Sequence, residues 1–161
     1  MTFYNEEYID DGKNRIHRTA IIGSNVELGQ GNVIYPYAVI GQPGAIRGAN
    51  KNTSKVITGD NNKIMSHVCI MSGEEGDTKI GDDNLIMNFV NIGHNVEIGN
   101  CNEIGAHSVI AGYVKIMNHV KIKIGALIRN RKHVSSETVV GMGAVVVDDV
   151  TQGTVKGNPA K

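Results

Sequence analysis

This 161-residue chain contains no tryptophan, two phenylalanines, two cysteines and three prolines. The shortage of large rings excludes an aromatic core, so apolar packing has to come from aliphatic side chains. Cys69 and Cys101 are too few for a disulfide framework and read as free thiols. Sixteen basic residues balance sixteen acidic ones, and a formal net charge of zero removes any general electrostatic case for nucleic acid or an anionic membrane. No apolar run approaches the length of a membrane span, and the opening MTFYNEEYIDDGKNR lacks the apolar stretch of a secretory signal. A cytoplasmic protein without membrane insertion is the expectation.

What the chain has is a period. Aliphatic residues stand at every sixth position from Ile80 through Ile86, Ile92, Ile98, Ile104, Ile110, Ile116, Ile122, Ile128, Val134 and Val140 to Val146. Six residues advance about 600° around an α-helix and would scatter these anchors over three faces, so a helix is excluded. The fourth residue after an anchor is usually small or β-branched, as at Val90, Val96, Ser108, Val114, Val120, Ala126 and Ala144. It precedes the next anchor by two and therefore shares its side of an extended strand. The residue two after the anchor is mostly polar or small (Asp82, Asn88, His94, Asn100, Gly112), which breaks a flat alternation. The chain must turn every six residues. Glycine directly after the anchor, as at Gly81, Gly93, Gly99 and Gly105, is expected to serve that corner through a positive φ or a tight backbone. Short strands joined by repeated corners make a solenoid, with a core of stacked Ile and Val.

The same register runs from Ile16 through Ile40 to Ile46 and returns at Thr58, Ile64 and Ile70. It breaks at 47–57, which lacks an anchor at Asn52, and at 72–79, where SGEEGDTK moves it by four; both are expected as external loops. The whole chain, 1–161, reads as one domain of roughly seven coils. Residues 1–15 form an N-terminal cap and 151–161 a C-terminal tail. A narrow prism with outward Val, Ile, Met and Tyr should bury part of that surface by association.

The pattern resembles the hexapeptide-repeat family. That resemblance implies an all-β fold, a left-handed parallel β-helix shaped as a triangular prism with 18 residues per coil. It also implies a homotrimer, with small-molecule sites in the clefts between prisms.

Six histidines are the main chemical candidates: His17, His67, His94, His107, His119 and His133. None occupies an inward anchor position, and a solvated or interface side chain is the ordinary reading for an outward histidine. His94 stands apart. The segment LIMNFVNIGHNVEIGN, from Leu85 to Asn100, resembles the active-site coil of UDP-N-acetylglucosamine acyltransferases, which implies a general base at His94. Eighteen residues on, IAGYVKI sets Gly112 at the same corner position, and the resemblance implies that its backbone N–H faces the oxyanion of the tetrahedral intermediate. Asn91, Asn95, Tyr113 and Arg129 depart from the family, which has histidines or an aspartate there. The ending VVGMGAVVVDDVTQGTVKGNPAK resembles coenzyme A-dependent hexapeptide sugar acetyltransferases. That likeness places Tyr113, Arg129, Lys156, Gly157, Asn158, Pro159 and Lys161 on the side of the acyl donor.

The chemistry follows from the residue types. An amine or hydroxyl attacking a thioester must lose a proton, and an imidazole with an ordinary pKa near 6.5 accepts it at neutral pH. Direct transfer is expected, because no cysteine and histidine pair forms a legible nucleophile. Asn88 and Asn91 are candidates for positioning the acceptor. Arg47, Lys51 and Lys55 could meet a nucleotide diphosphate or simply be solvated. The function expected is transfer of an acyl group, acetyl above all, from acyl-CoA to an amino or hydroxyl group of a nucleotide-linked sugar. Alternatives are an acyl carrier protein as donor, a metal enzyme akin to γ-class carbonic anhydrases, or a non-catalytic scaffold. No metal is expected, because no two of the six histidines lie as near in sequence as that enzyme's close pair.

Overall fold

The computed structural model describes residues 7–44 and 54–161. Among them, 22 short strands lie on the three faces of a left-handed parallel β-helix. Face A carries nine strands, from Tyr8–Asp10 to Thr154–Val155; face B seven, from Ile21–Ile22 to Val145–Val146; face C six, from Val26–Leu28 to His133–Val134. The chain visits A, B and C in turn, so a residue stacks on the one 18 positions later wherever no excursion intervenes, as in Ile80 on Ile98 and Ile92 on Ile110. No helix among the described residues is long and apolar enough to cross a membrane.

The anchors from Ile80 to Val146 point inward and are buried, as are Val90, Val96, Val114, Val120, Ala126 and Ala144 four residues after an anchor. One column departs from the expected Ile and Val core. Asn14, Asn32, Asn62, Asn84 and Asn102 stack inside the edge between faces C and A. Each side-chain oxygen accepts from the backbone N–H of the residue stacked above it. The side-chain amides of the first four donate to Gly29, Gly59, Gly81 and Gly99. Polar groups are tolerated in this core because the ladder satisfies them. It ends at Asn102, whose side-chain N–H groups are buried without a partner.

At the corners, tight backbone rather than a positive φ accounts for nearly all the glycines after anchors. A positive φ belongs to the third residue after the anchor: Asp83, Phe89, Asn95, Cys101, His107, Tyr113, Arg131 and Glu137 all lie between 57° and 62°. Of the glycines next to anchors, only Gly41 is left-handed. The others are there for closeness: a Cβ on Gly105 would sit 2.6 Å from the Ile124 nitrogen, and one on Gly93 2.8 Å from the Gly112 nitrogen. On the edge between A and B, this left-handed position holds Tyr37, His67, Phe89 and His107, whose rings stack 4.7 to 5.0 Å apart.

The expected loops are shorter than drawn. Val56–Thr58 is a strand on Val26–Leu28, and Thr78–Ile80 is a strand on Val56–Thr58, so the coil closes again before 57 and before 79. Within the N-terminal cap, Tyr8–Asp10 pairs antiparallel with Arg15–His17, and so Arg15 already belongs to the first coil. The C-terminal tail is partly a further coil: Thr154–Val155 extends face A on Val139–Val140. Gly157 and Ala160 then hydrogen-bond Val145 on face B.

Candidate active site

His94 occupies the edge between faces B and C, just after strand Asn91–Ile92. Gly112 takes the same place one coil on, after Val109–Ile110. The Nε2 end of the imidazole lies close against that glycine: a Cβ on Gly112 would be 2.6 Å from His94 Nε2 and 2.7 Å from Cε1. Only glycine leaves room for the ring. The spacing read from the sequence therefore brings the two residues together. Among the described residues, no backbone carbonyl accepts from the Gly112 N–H.

The orientation of His94 is set by its neighbour. His94 Nδ1 lies 3.0 Å from Asn95 Oδ1. That oxygen also accepts from the Glu74 N–H at 3.1 Å, while Asn95 Nδ2 donates to the Gly76 carbonyl at 2.9 Å. The Asn95 backbone N–H donates to Thr78 Oγ1. With the amide held this way round, Nδ1 has to be the donor and carries the proton. Nε2 is left with a free lone pair on the Gly112 side. Gly44 closes the other side, where a Cβ would meet His94 Cβ at 3.1 Å.

Above the imidazole, Tyr113 packs edge-on to it with centroids 5.0 Å apart, and Arg131 lies over the Tyr113 ring at 4.3 Å. The backbone locks these coils together, with Tyr113 N–H donating to the His94 carbonyl and Arg131 N–H to that of Gly112. A groove of about 500 Å³ opens beside this edge on face C, lined by Asn95, Tyr113, Lys115, Arg131 and Asp149 among others.

The remaining candidates are spread. Asn91 is on face B in the strand leading to His94, whereas Asn88 lies on the edge between A and B, one face away. Within one protomer Asn88 does not meet His94. Lys55, leading into Val56–Thr58 on face C, is paired with Glu27 of the first coil, and that pairing holds its ammonium above the usual lysine range. Arg47 and Lys51 lie outside the described residues. Arg129 is exposed two coils beyond His94 on the same edge. Lys156, Gly157, Asn158, Pro159 and Lys161 are exposed on the final turn, nearly four coils beyond His94, with Lys156 packed beside Gly141 on the edge between faces A and B. Among the described residues no group of three or more His, Cys, Asp or Glu side chains is placed to hold a metal ion.

Two residues escaped the sequence reading. Asn95 was visible only as a departure from the family, and the His-Asn adjacency was its one signal. Arg131 belongs to the run RNRKH at 129–133, whose concentration of cations on a single corner was legible but unassigned.

Residues 77–112, which include His94 and Gly112, match the family of bacterial transferase hexapeptide proteins (six repeats). An acyl-(acyl-carrier-protein)–UDP-N-acetylglucosamine O-acyltransferase of Nautilia profundicola is 32% identical over 139 residues, covering 83% of this chain and 53% of its own. The crystal structure of a UDP-N-acetylglucosamine acyltransferase from Bacteroides fragilis superimposes with a TM-score of 0.87 at 26% identity, covering 92% of this chain and 60% of that one. The acetyltransferase domain of PglB from Neisseria gonorrhoeae gives 0.59 at 26% identity, over 92% and 56%. The chain thus spans about half to three fifths of the length of these proteins. With its six-residue period, its three-faced coil and this match across the His94 edge, the chain belongs to the bacterial hexapeptide-repeat transferase family.

Proposed function

We propose that this protein transfers an acyl group, acetyl above all, from acyl-CoA to an amino or hydroxyl group of a nucleotide-linked sugar, directly and with His94 as general base. One observation carries the reading: an imidazole whose tautomer is set by Asn95 presents Nε2 over a glycine whose amide has no backbone acceptor. As the acceptor attacks the thioester carbonyl, Nε2 takes its proton. Negative charge then develops on the carbonyl oxygen, where the Gly112 N–H contributes about 3 kcal/mol of stabilisation. Asn91 orients the acceptor beside the base. Tyr113 lines the path of the donor, and the tail from Lys156 to Lys161 meets its nucleotide end.

A homotrimer completes the cleft. Support comes from the apolar residues that one protomer leaves exposed on face B, Ile21, Val109 and Leu127, and on the adjoining edge, Tyr37, Phe89, Ile124 and Met142. In such an assembly Asn88, on that edge, would approach a neighbour's site. The reading places the protein in the cytoplasm, where acyl-CoA and nucleotide sugars meet, and involves neither nucleic acid nor a resident metal.

A second donor is favoured by the Nautilia relative, whose name specifies an acyl carrier protein. Incubating the purified protein with acetyl-CoA or acyl carrier protein thioesters and a panel of dTDP-, UDP- and GDP-amino sugars separates the two. Turnover with the carrier alone rejects the CoA reading. His94→Ala should keep the assembly intact and lower turnover by at least about 10²-fold; equal turnover removes His94 from the mechanism.

A further inference from the structure

On the edge that carries His94, two guanidinium groups are left without a carboxylate. Arg129 and Arg131 flank one corner, and among the described residues neither has an acidic group within ion-pair distance. Glu75, Asp77 and Lys79 line the same groove and pair with neither arginine, and the charges nearer the corner have partners. Lys132 approaches Asp149 at 4.0 Å, Asp149 also accepts from the His133 N–H, and Lys115 pairs with Glu97 at 3.2 Å. Arg131 instead rests on the face of Tyr113 and lines the open groove. A desolvated or stacked guanidinium with free N–H groups is a bidentate receptor for phosphate oxygens.

Distance selects which phosphate. The Tyr113 ring centroid is 5.0 Å from that of His94 and 4.3 Å from the Arg131 guanidinium carbon, so base and cation are roughly 9 Å apart at most. In coenzyme A, about twelve bonds separate the thioester from the diphosphate, roughly 15 Å when extended. In a nucleotide sugar, about four to eight bonds separate an oxygen or nitrogen borne by the sugar ring from the two phosphorus atoms, roughly 5 to 10 Å. A guanidinium contact near 2.8 Å on one side and the base on the other fit the shorter ligand.

We infer that Arg131, with Arg129 beside it, holds the diphosphate of the nucleotide-sugar acceptor while the reacting group lies at His94. This rests on the acyltransferase reading above and deepens it. Arg129, which the family resemblance ascribes to the donor, then belongs to the acceptor. The donor diphosphate, at the end of roughly 15 Å of extended arm, then falls about three coils from His94, beyond the arginine corner.

The test is equilibrium binding by titration calorimetry of UDP, dTDP, GDP and CoA to the full chain. The variants are Arg129→Ala/Arg131→Ala and a charge-matched control, Lys63→Ala/Lys121→Ala, which removes two cations from face A. The expected result is binding of at least one nucleoside diphosphate by wild type, competed by inorganic pyrophosphate. The arginine variant should weaken it by about 10²-fold, with CoA affinity and unfolding midpoint within error of wild type, and the control should change nothing. Loss of CoA affinity with the nucleoside diphosphate unaffected assigns the arginines to the donor and overturns the inference. Unchanged affinity for every ligand overturns it while leaving the acyltransferase reading in place. Wild-type protein that binds no nucleoside diphosphate removes the nucleotide-sugar reading and the inference with it.

Discussion

Gly112→Ala tests the site at its tightest point. The new methyl carbon would fall 2.6 Å from His94 Nε2, 2.7 Å from Cε1 and 3.1 Å from Cδ2. Ordinary contacts of this kind need about 3.5 Å, so something must move by roughly 1 Å. The backbone at Gly112 is not left-handed and accepts alanine, whereas the imidazole is the free end of a side chain and can rotate away. Rotation breaks its bond to Asn95, a loss of about 1 kcal/mol, equivalent to a fall of about 2–4 °C in Tm for a chain of this size. A displacement of about 1 Å at the base lowers kcat by about 10²-fold. Alanine keeps the backbone N–H, so the loss reports the position of the base rather than the oxyanion donor. Gly93→Ala is the contrast, since its Cβ would strike the backbone of the next coil at Gly112 N, Ala111 C and Ile110 O, which cannot rotate aside. It should cost about 3 kcal/mol through overpacking, a Tm lower by about 6–12 °C. Steady-state kinetics on the acyl transfer and thermal unfolding of both variants, with Gly112→Ala repeated in a His94→Ala background, complete the set. In that background the added methyl should carry no further stability loss. A Gly112→Ala protein with wild-type kcat would show that the imidazole does not work from its seat on this glycine.

Asn95→Ala would remove the oxygen that holds His94 Nδ1, freeing the ring to turn from its seat on Gly112. A displaced base should lower kcat by about 10²-fold with the coil intact, and an unchanged kcat separates Asn95 from the base. In the asparagine ladder, Asn62→Ala strands the Asn84 N–H groups and the Gly81 carbonyl. It should lower Tm by at least about 6 °C, from a loss of about 3 kcal/mol. Asn102→Ala should lower Tm by less, because its amide donors already lack a partner, and equal losses would refute the ladder account. Burial pushes the Cys69 thiol above its usual range, while Cys101 is exposed. A raised pKa means less thiolate at a given pH, so iodoacetamide at pH 8 should label Cys101 first, as followed by intact mass and peptide mapping. Faster labelling of Cys69 contradicts it.

The period of six explains how much was legible. Once anchors recur without a miss, each residue stacks on its neighbour 18 positions on, and the pairing of His94 with Gly112 follows from counting. The same count fails where a chain segment leaves the coil, which is why both loops were drawn a few residues too long at Val56 and Thr78. It also left the corners open between a positive φ and a tight backbone, because six-residue spacing does not say which residue turns left-handed. Bulky residues such as Phe89 and Tyr113 accept that conformation here, held by stacking and by hydrogen bonds to adjacent coils.

By itself, the sequence determined the six-residue turn, the solenoid and its aliphatic anchors, and the family resemblance supplied the three faces that align His94 with Gly112, because stacking at constant spacing converts sequence distance into spatial distance. Only the tertiary structure decided the rest. Asn95 orients the imidazole because Glu74 and Gly76 hold its amide, and Arg131 lies on Tyr113. Asn88 looks out from another edge, and Lys55 turns to Glu27. Those contacts depend on side-chain hydrogen bonds and on loops that leave the repeat, and a repeat encodes neither.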